Sequence, residues 1–169
     1  MSLTIPQRQT LKAAMLLVPA MAAAIAAGDT YSMLQWCNAN STVSSWRNNV
    51  SGAEVYAAHK PKEYMARSAT ERQCFDLMVL QGSELNFTVG KIRNAISDIF
   101  SGTTNQTSRT TIFAVAQELA TNAESKLGGA NASVGGTADM TETITAFVRD
   151  WIGEVEQDDV SWMLVNNLS

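Results

Sequence analysis

Apolar side chains recur through the first 127 residues at the three- and four-residue spacing of helices that bury one face. Leu11, Ala14, Met15 and Val18 follow Thr4, which can cap, and Pro6, which suits a first helical turn. Pro19 then ends that helix and begins another. Asp29 or Thr30 can cap a short helix through Tyr31, Met33, Leu34 and Trp36, closed by the Asn-rich turn at 38–40. Ser51 with Glu54 makes a capping box that opens a helix from Gly52 to His59, and Lys60–Pro61 stops it. Ser68 with Glu71 makes a second box, opening Ala69–Gln81. Its Cys74, Phe75, Leu77 and Met78 form the expected buried stripe, with Gly82 as the C-cap. Thr88 caps Val89–Phe100, where Val89, Ile92, Ala95, Ile96, Ile99 and Phe100 follow the helical pattern closely. After the polar loop 102–107, Ser108 opens a last long helix with Ile112, Val115, Ala116, Leu119, Ala123 and Leu127 on one face.

The pattern changes at Gly128. Residues 128–138 (GGANASVGGTA) hold four glycines and only Val134 as a bulky side chain, which predicts a flexible connection. Thr141–Arg149 is β-branched and partly alternating, an extended arm or one edge of a hairpin that must pair with something. Its partner is either Trp151–Val155 folding back or a neighbouring subunit. Asp158 or Asp159 caps a short closing helix with Val160, Met163, Leu164 and Val165. The fold class expected is mainly α: a single helical bundle of about five to six helices with a C-terminal extended arm or short β element and a short terminal helix. Three parts follow: a body over 1–127, a linker over 128–138 and an arm over 139–169.

Composition adds that the charge is uneven. The 169 residues are 46% apolar and 17% charged, with a net charge of −4. The charged share is well under the roughly one quarter usual for globular domains. Residues 1–100 carry nine basic and seven acidic groups, whereas 101–169 carry three basic and nine acidic ones. Arg149 stands alone against seven acids between Asp139 and Asp159. With no basic field to release counterions, nucleic-acid contact is expected to be absent or incidental. The acidic run reads as a solvated face, or as a segment docking on a basic partner.

Residues 13–27 resemble a secretory signal in following Arg8 and Lys12 and ending in small residues. The capped helix–Pro–helix pattern explains them as folded structure, and fifteen residues interrupted by Pro19 are too few to span a membrane. A secreted protein with a cleaved leader stays as an alternative. Cys37 and Cys74 are expected as buried thiols, and with His59 the one imidazole, no metal site, cofactor or nucleophilic constellation is implied. His59 reads as a helix-terminal or core residue. Glu154, Glu156, Asp158 and Asp159 read as capping or solvated acids, and an enzyme using them or His59 is disfavoured. The indoles of Trp151 and Trp162 either fold back onto the helices or anchor an intersubunit contact.

Four stretches carry a resemblance: Val43-Ser-Ser-Trp46-Arg47-Asn-Asn-Val50 with Glu54, Val89-Gly-Lys-Ile-Arg93-Asn-Ala-Ile96-Ser-Asp-Ile-Phe100, Ala120-Thr-Asn-Ala-Glu124-Ser-Lys-Leu127, and Gly153-Glu-Val-Glu-Gln-Asp-Asp-Val160. Together they resemble small morphogenesis proteins of tailed bacteriophages. The resemblance implies a virion structural protein assembled in the host cytoplasm, most concretely a head–tail connector, or neck adaptor, forming a ring. A capsid decoration or tail structural protein is the alternative it leaves. It implies a homo-oligomer that meets the phage portal or other virion proteins, with no membrane. Ile144, Phe147, Trp151, Trp162, Asp158 and Asp159 are then the interface candidates on the C-terminal arm.

Overall fold

A computed structural model describes residues 2–81, 84–135 and 143–166. It corrects the fold class, because the chain is α/β rather than a mainly-α bundle. Ten α-helices among the described residues accompany a four-stranded sheet of order β4-β1-β6-β5, formed by Gln117–Thr121 (β4), Asn40–Trp46 (β1), Thr143–Arg149 (β6) and Gly129–Gly135 (β5). β1 runs parallel to β6 with Ser45 opposite Phe147. A second, two-stranded antiparallel sheet pairs β2 (Val50–Ser51) with β3 (Glu84–Leu85).

Six helices form close to where the sequence predicts them. These are α1 (Ile5–Leu16), α2 (Pro19–Ala27), α3 (Thr30–Asn38), α4 (Gly52–Ala58), α6 (Ala69–Gln81) and α7 (Gly90–Ile99). α7 starts after Val89, without the side-chain cap expected from Thr88. Asp29 accepts from the Ser32 amide, and Ser51 and Ser68 accept from the Glu54 and Glu71 amides. Orphan amide donors at helix starts are thereby satisfied. α5 (Pro61–Met65) is a short helix that the sequence reading leaves out, started by Pro61 itself.

Besides β1, for which the sequence predicts no element, two differences produce the sheet. The helix expected from Ser108 to Leu127 is three elements: α8 (Gln106–Val115), β4 and α9 (Asn122–Lys126). Periodicity carries across 115–121 by coincidence, for Leu119 is exposed. Strand pairing wins there because Ser45 on β1 sends its hydroxyl to the Glu118 carbonyl. Thr121 and Glu124 then form a fresh capping box that restarts the helix. The second difference is 129–135, expected as a flexible connection and found as β5, where Ser133 and Thr145 of β6 share a hydroxyl hydrogen bond at 2.6 Å. Residues 136–142 lie outside the described residues, with Asp139 and Glu142 among them.

The chain forms two compact units, each with its own apolar core. Unit 1 takes 1–43, 119–130 and 149–169, and unit 2 takes 44–118 and 131–148. The core of unit 1 gathers Leu3, Leu11, Met15, Met33, Cys37, Trp151 and Met163. α10 (Gln157–Val165) closes it. That of unit 2 centres on Trp46, Phe75, Phe87, Phe100 and Phe113, with Phe75 edge-on to Phe100 at 5.2 Å and Trp46 edge-on to Phe113 at 5.8 Å. At α4, a Cβ on Gly52 would lie 1.7 Å from the Val79 carbonyl oxygen, so only glycine lets α4 approach α6 this closely. No single helix among the described residues is long and apolar enough to cross a membrane, and α1 and α2 meet at a bend of 115°.

Candidate association surface

The six C-terminal candidates are placed very differently from one another. Asp159 is fully buried and acts as a hub of unit 1: it accepts from the Leu3 amide at 3.0 Å, the Ser2 hydroxyl at 3.1 Å, Arg8 at 2.9 Å and the Glu156 amide at 3.3 Å. Burial pushes its pKa up, but the Glu156 and Leu3 amides, Arg8 and Ser2 outweigh that and hold it below the ordinary carboxylate value. Trp151 is buried in the unit 1 core, and Trp162 packs against that core with the Arg8 guanidinium 5.4 Å from its ring. Of the two roles open to these indoles, folding back is the one seen. Ile144 is half-buried against the unit 2 core, and Phe147 is half-buried on β6. Only Asp158 is exposed.

Three further ties make residues 149–166 part of unit 1. The Asn38 side-chain amide donates to the Val155 carbonyl at 3.0 Å and accepts from its amide at 2.9 Å. Arg149 meets Glu124 at 3.0 Å, with both side chains about 95% buried or more. Lys12 reaches the Asn166 carbonyl at 2.6 Å. The sequence carries a trace of this arrangement, because Glu124 and Asp159 both stand at the third position of a helix, where a carboxylate closes a capping box.

Ionisable groups of unit 2 are likewise bound into structure. Arg47 donates to Glu54 at 2.8 Å and to the Val115 carbonyl at 2.9 Å, while its own amide meets the Ala116 carbonyl. The Arg47 hydrogen bond, joined by the Ser51 amide and hydroxyl, pulls the Glu54 carboxyl down to about 2. Arg93 caps the Phe87 and Thr88 carbonyls beneath the Trp46 ring, and Arg109 binds the Phe100 and Gly102 carbonyls at the end of α7. His59 ends α4 within a ring cluster of Tyr56, Tyr64 and Phe75.

No family model matches the chain, and no curated protein or solved structure does either. Function therefore rests on what the chain presents to its surroundings. Among the described residues no group of three or more His, Cys, Asp or Glu side chains is placed to hold a metal ion. Cys37 is buried and its thiol is pushed up to about 12 by burial and the Asp159 charge, whereas Cys74, expected inside, lies exposed on α6.

Large apolar side chains remain outside both cores. In unit 1, Leu17 is 85% and Val165 81% exposed, and Tyr31, Ile5 and Leu16 are exposed with them. All nine residues of α2 are apolar, yet only Ala24 is buried, and Ala20, Ala23, Ala26 and Ala27 face outward beyond Leu16 and Leu17. Apolar all round, a helix of this kind ordinarily lies inside a protein. In unit 2, Met65, Leu77 and Leu80 are exposed on α5 and α6.

Proposed function

We propose that this chain is a structural component of a tailed-phage virion, a neck adaptor that acts by associating with copies of itself and with the portal or other virion proteins. The observation that carries the reading is α2, a wholly apolar helix whose Met21, Ala24 and Ile25 meet the unit 1 core while Ala20, Ala23, Ala26 and Ala27 stay exposed beside Leu16 and Leu17. Contiguous apolar surface on a folded chain marks a place that another surface covers. The resemblance of the Val43–Val50, Val89–Phe100, Ala120–Leu127 and Gly153–Val160 stretches supplies the virion context. The hydrogen bonds of Asp159 and Glu124 support a mechanical role, since each carboxylate holds one segment of backbone to another.

Within this reading the contact residues differ from a detached arm. Trp151 and Asp159 build unit 1, so attachment falls to exposed positions such as Leu17 and Ala23 on the α1–α2 surface and Asp158 at the start of α10. The test is complementation of a phage deleted for this gene. Leu17→Glu and Ala23→Glu proteins are expected to keep the wild-type melting temperature and to fail in restoring infectious particles. Full restoration by both would remove α2 from assembly and the reading with it.

A further inference from the structure

A second surface stands apart from α2 and has a self-complementary pattern. Ala69, Gln73, Asp76 and Leu80 recur on α6 at i, i+4, i+7 and i+11, which places them in one stripe along the helix. With Tyr64, Arg72 and Leu77 they line an open groove of about 350 Å³. Leu80 is 70% exposed there. Arg72 donates to the Met65 carbonyl at 3.2 Å and Asp76 accepts from the Tyr64 hydroxyl at 2.7 Å, but neither makes an ion pair with a described residue.

We propose that this stripe binds the same stripe of a second copy, antiparallel, across a two-fold axis that passes midway between positions 74 and 75. That axis sets Leu80 against Ala69 of the other copy and Asp76 against its Gln73, each twice, as an isologous contact requires. The large side chain meets the smallest one on the stripe, and the carboxylate accepts from an amide. Arg72 flanks the same carboxylate and supplies charge complementarity. A parallel copy would instead set Asp76 on Asp76 and Leu80 on Leu80. A thirteen-residue helix is about 20 Å long, so the contact falls short of the roughly 800 Å² per partner of a standard interface. The dimer is accordingly reversible and forms as concentration rises. It does not depend on the virion assignment.

Two measurements test it, both on the full chain. In a Cys74→Ser background, Ala69→Cys and Leu80→Cys proteins are mixed under mild oxidation, which bridges only cysteines whose Cα atoms lie within about 7 Å. Crosslinked dimer is expected from the mixture well in excess of either protein alone, whose cysteines are held apart on opposite sides of the axis. Equal yields, or none, would overturn the pairing. In sedimentation equilibrium, Gln73→Asp sets carboxylates opposite each other and is expected to weaken dimerisation about tenfold. The swap Gln73→Asp with Asp76→Gln is expected to restore it. A chain that stays monomeric to about 0.5 mM, or a Gln73→Asp protein that dimerises unchanged, would refute the contact.

Discussion

Asp159 shows how one side chain can close a unit whose segments are far apart in sequence. It joins α10 to Ser2, Leu3 and Arg8, more than 150 positions away. Replacing it by Asn keeps the shape and removes the charge, leaving Arg8 with the Ser2 hydroxyl and the Trp162 ring but no carboxylate. A loss of about 1.5–3 kcal/mol in denaturant unfolding is expected, the range for hydrogen bonds to a charged group. The pH dependence follows from its lowered pKa. The carboxylate's contribution is complete above its unfolded value of 3.8 and is lost as pH falls through the lower folded value. Glu54 behaves alike between 4.5 and about 2. Stability is therefore expected to hold from pH 7 to 5 and to fall below about pH 4.5, with a smaller acid-limb loss for Asp159→Asn. A stability curve rising on acidification would contradict both assignments. Glu124 and Arg149 form the other buried pair, and Arg149→Met leaves a buried carboxylate without its cation. That change is expected to cost about 3–5 kcal/mol, measured in the same way. None of these pairings was legible beforehand, because charge partners 25 or 151 positions apart leave no local pattern.

At the scale of elements, capping chemistry was legible and strands were not. Ser51, Ser68 and Asp29 mark helix starts because a side-chain oxygen meets an amide three residues on, a purely local event. The sequence predicts the Asn-rich turn at 38–40 and no element over β1, which becomes a strand where β4 and β6 lie beside it. The same tertiary preference cuts the expected Ser108–Leu127 helix at Ala116. Thr121 was the missed signal there, a Ser/Thr-x-x-Glu box identical in form to the two recognised ones. Thr121→Ala is expected to destabilise the chain by about 1 kcal/mol. Gly52 reports on helix packing: alanine there forces α4 off the Val79 carbonyl, and a cost of about 1–3 kcal/mol is expected from thermal or chemical unfolding. An unchanged midpoint would mean that α4 and α6 are not in contact.

At the scale of the whole molecule, the sequence suggested a helical body followed by an arm, and the structure divides the chain otherwise. It crosses between units near residues 43, 118, 130 and 148, every time within a strand of the four-stranded sheet. A boundary of that kind has no compositional marker, whereas the glycines of 128–135 mimicked one. From residue 149 on, the described part of the acidic run belongs to unit 1, with Asp159 inside and Glu154, Glu156 and Asp158 at its surface. Residues 2–27 also belong to that unit, since Leu3, Leu11, Met15 and Ala24 enter its core. Each fully buried large apolar side chain contributes about 1.5–3 kcal/mol, so a chain lacking 2–27 is expected to lose its cooperative unfolding transition. Exposed apolar side chains among the described residues include those on α1–α2 and those of the stripe on α6, which the proposed function has other surfaces cover. Quantitative mass spectrometry of gradient-purified phage particles tests that account most directly. The virion assignment predicts this chain in a fixed ratio to the portal protein, and its absence from intact particles would contradict it.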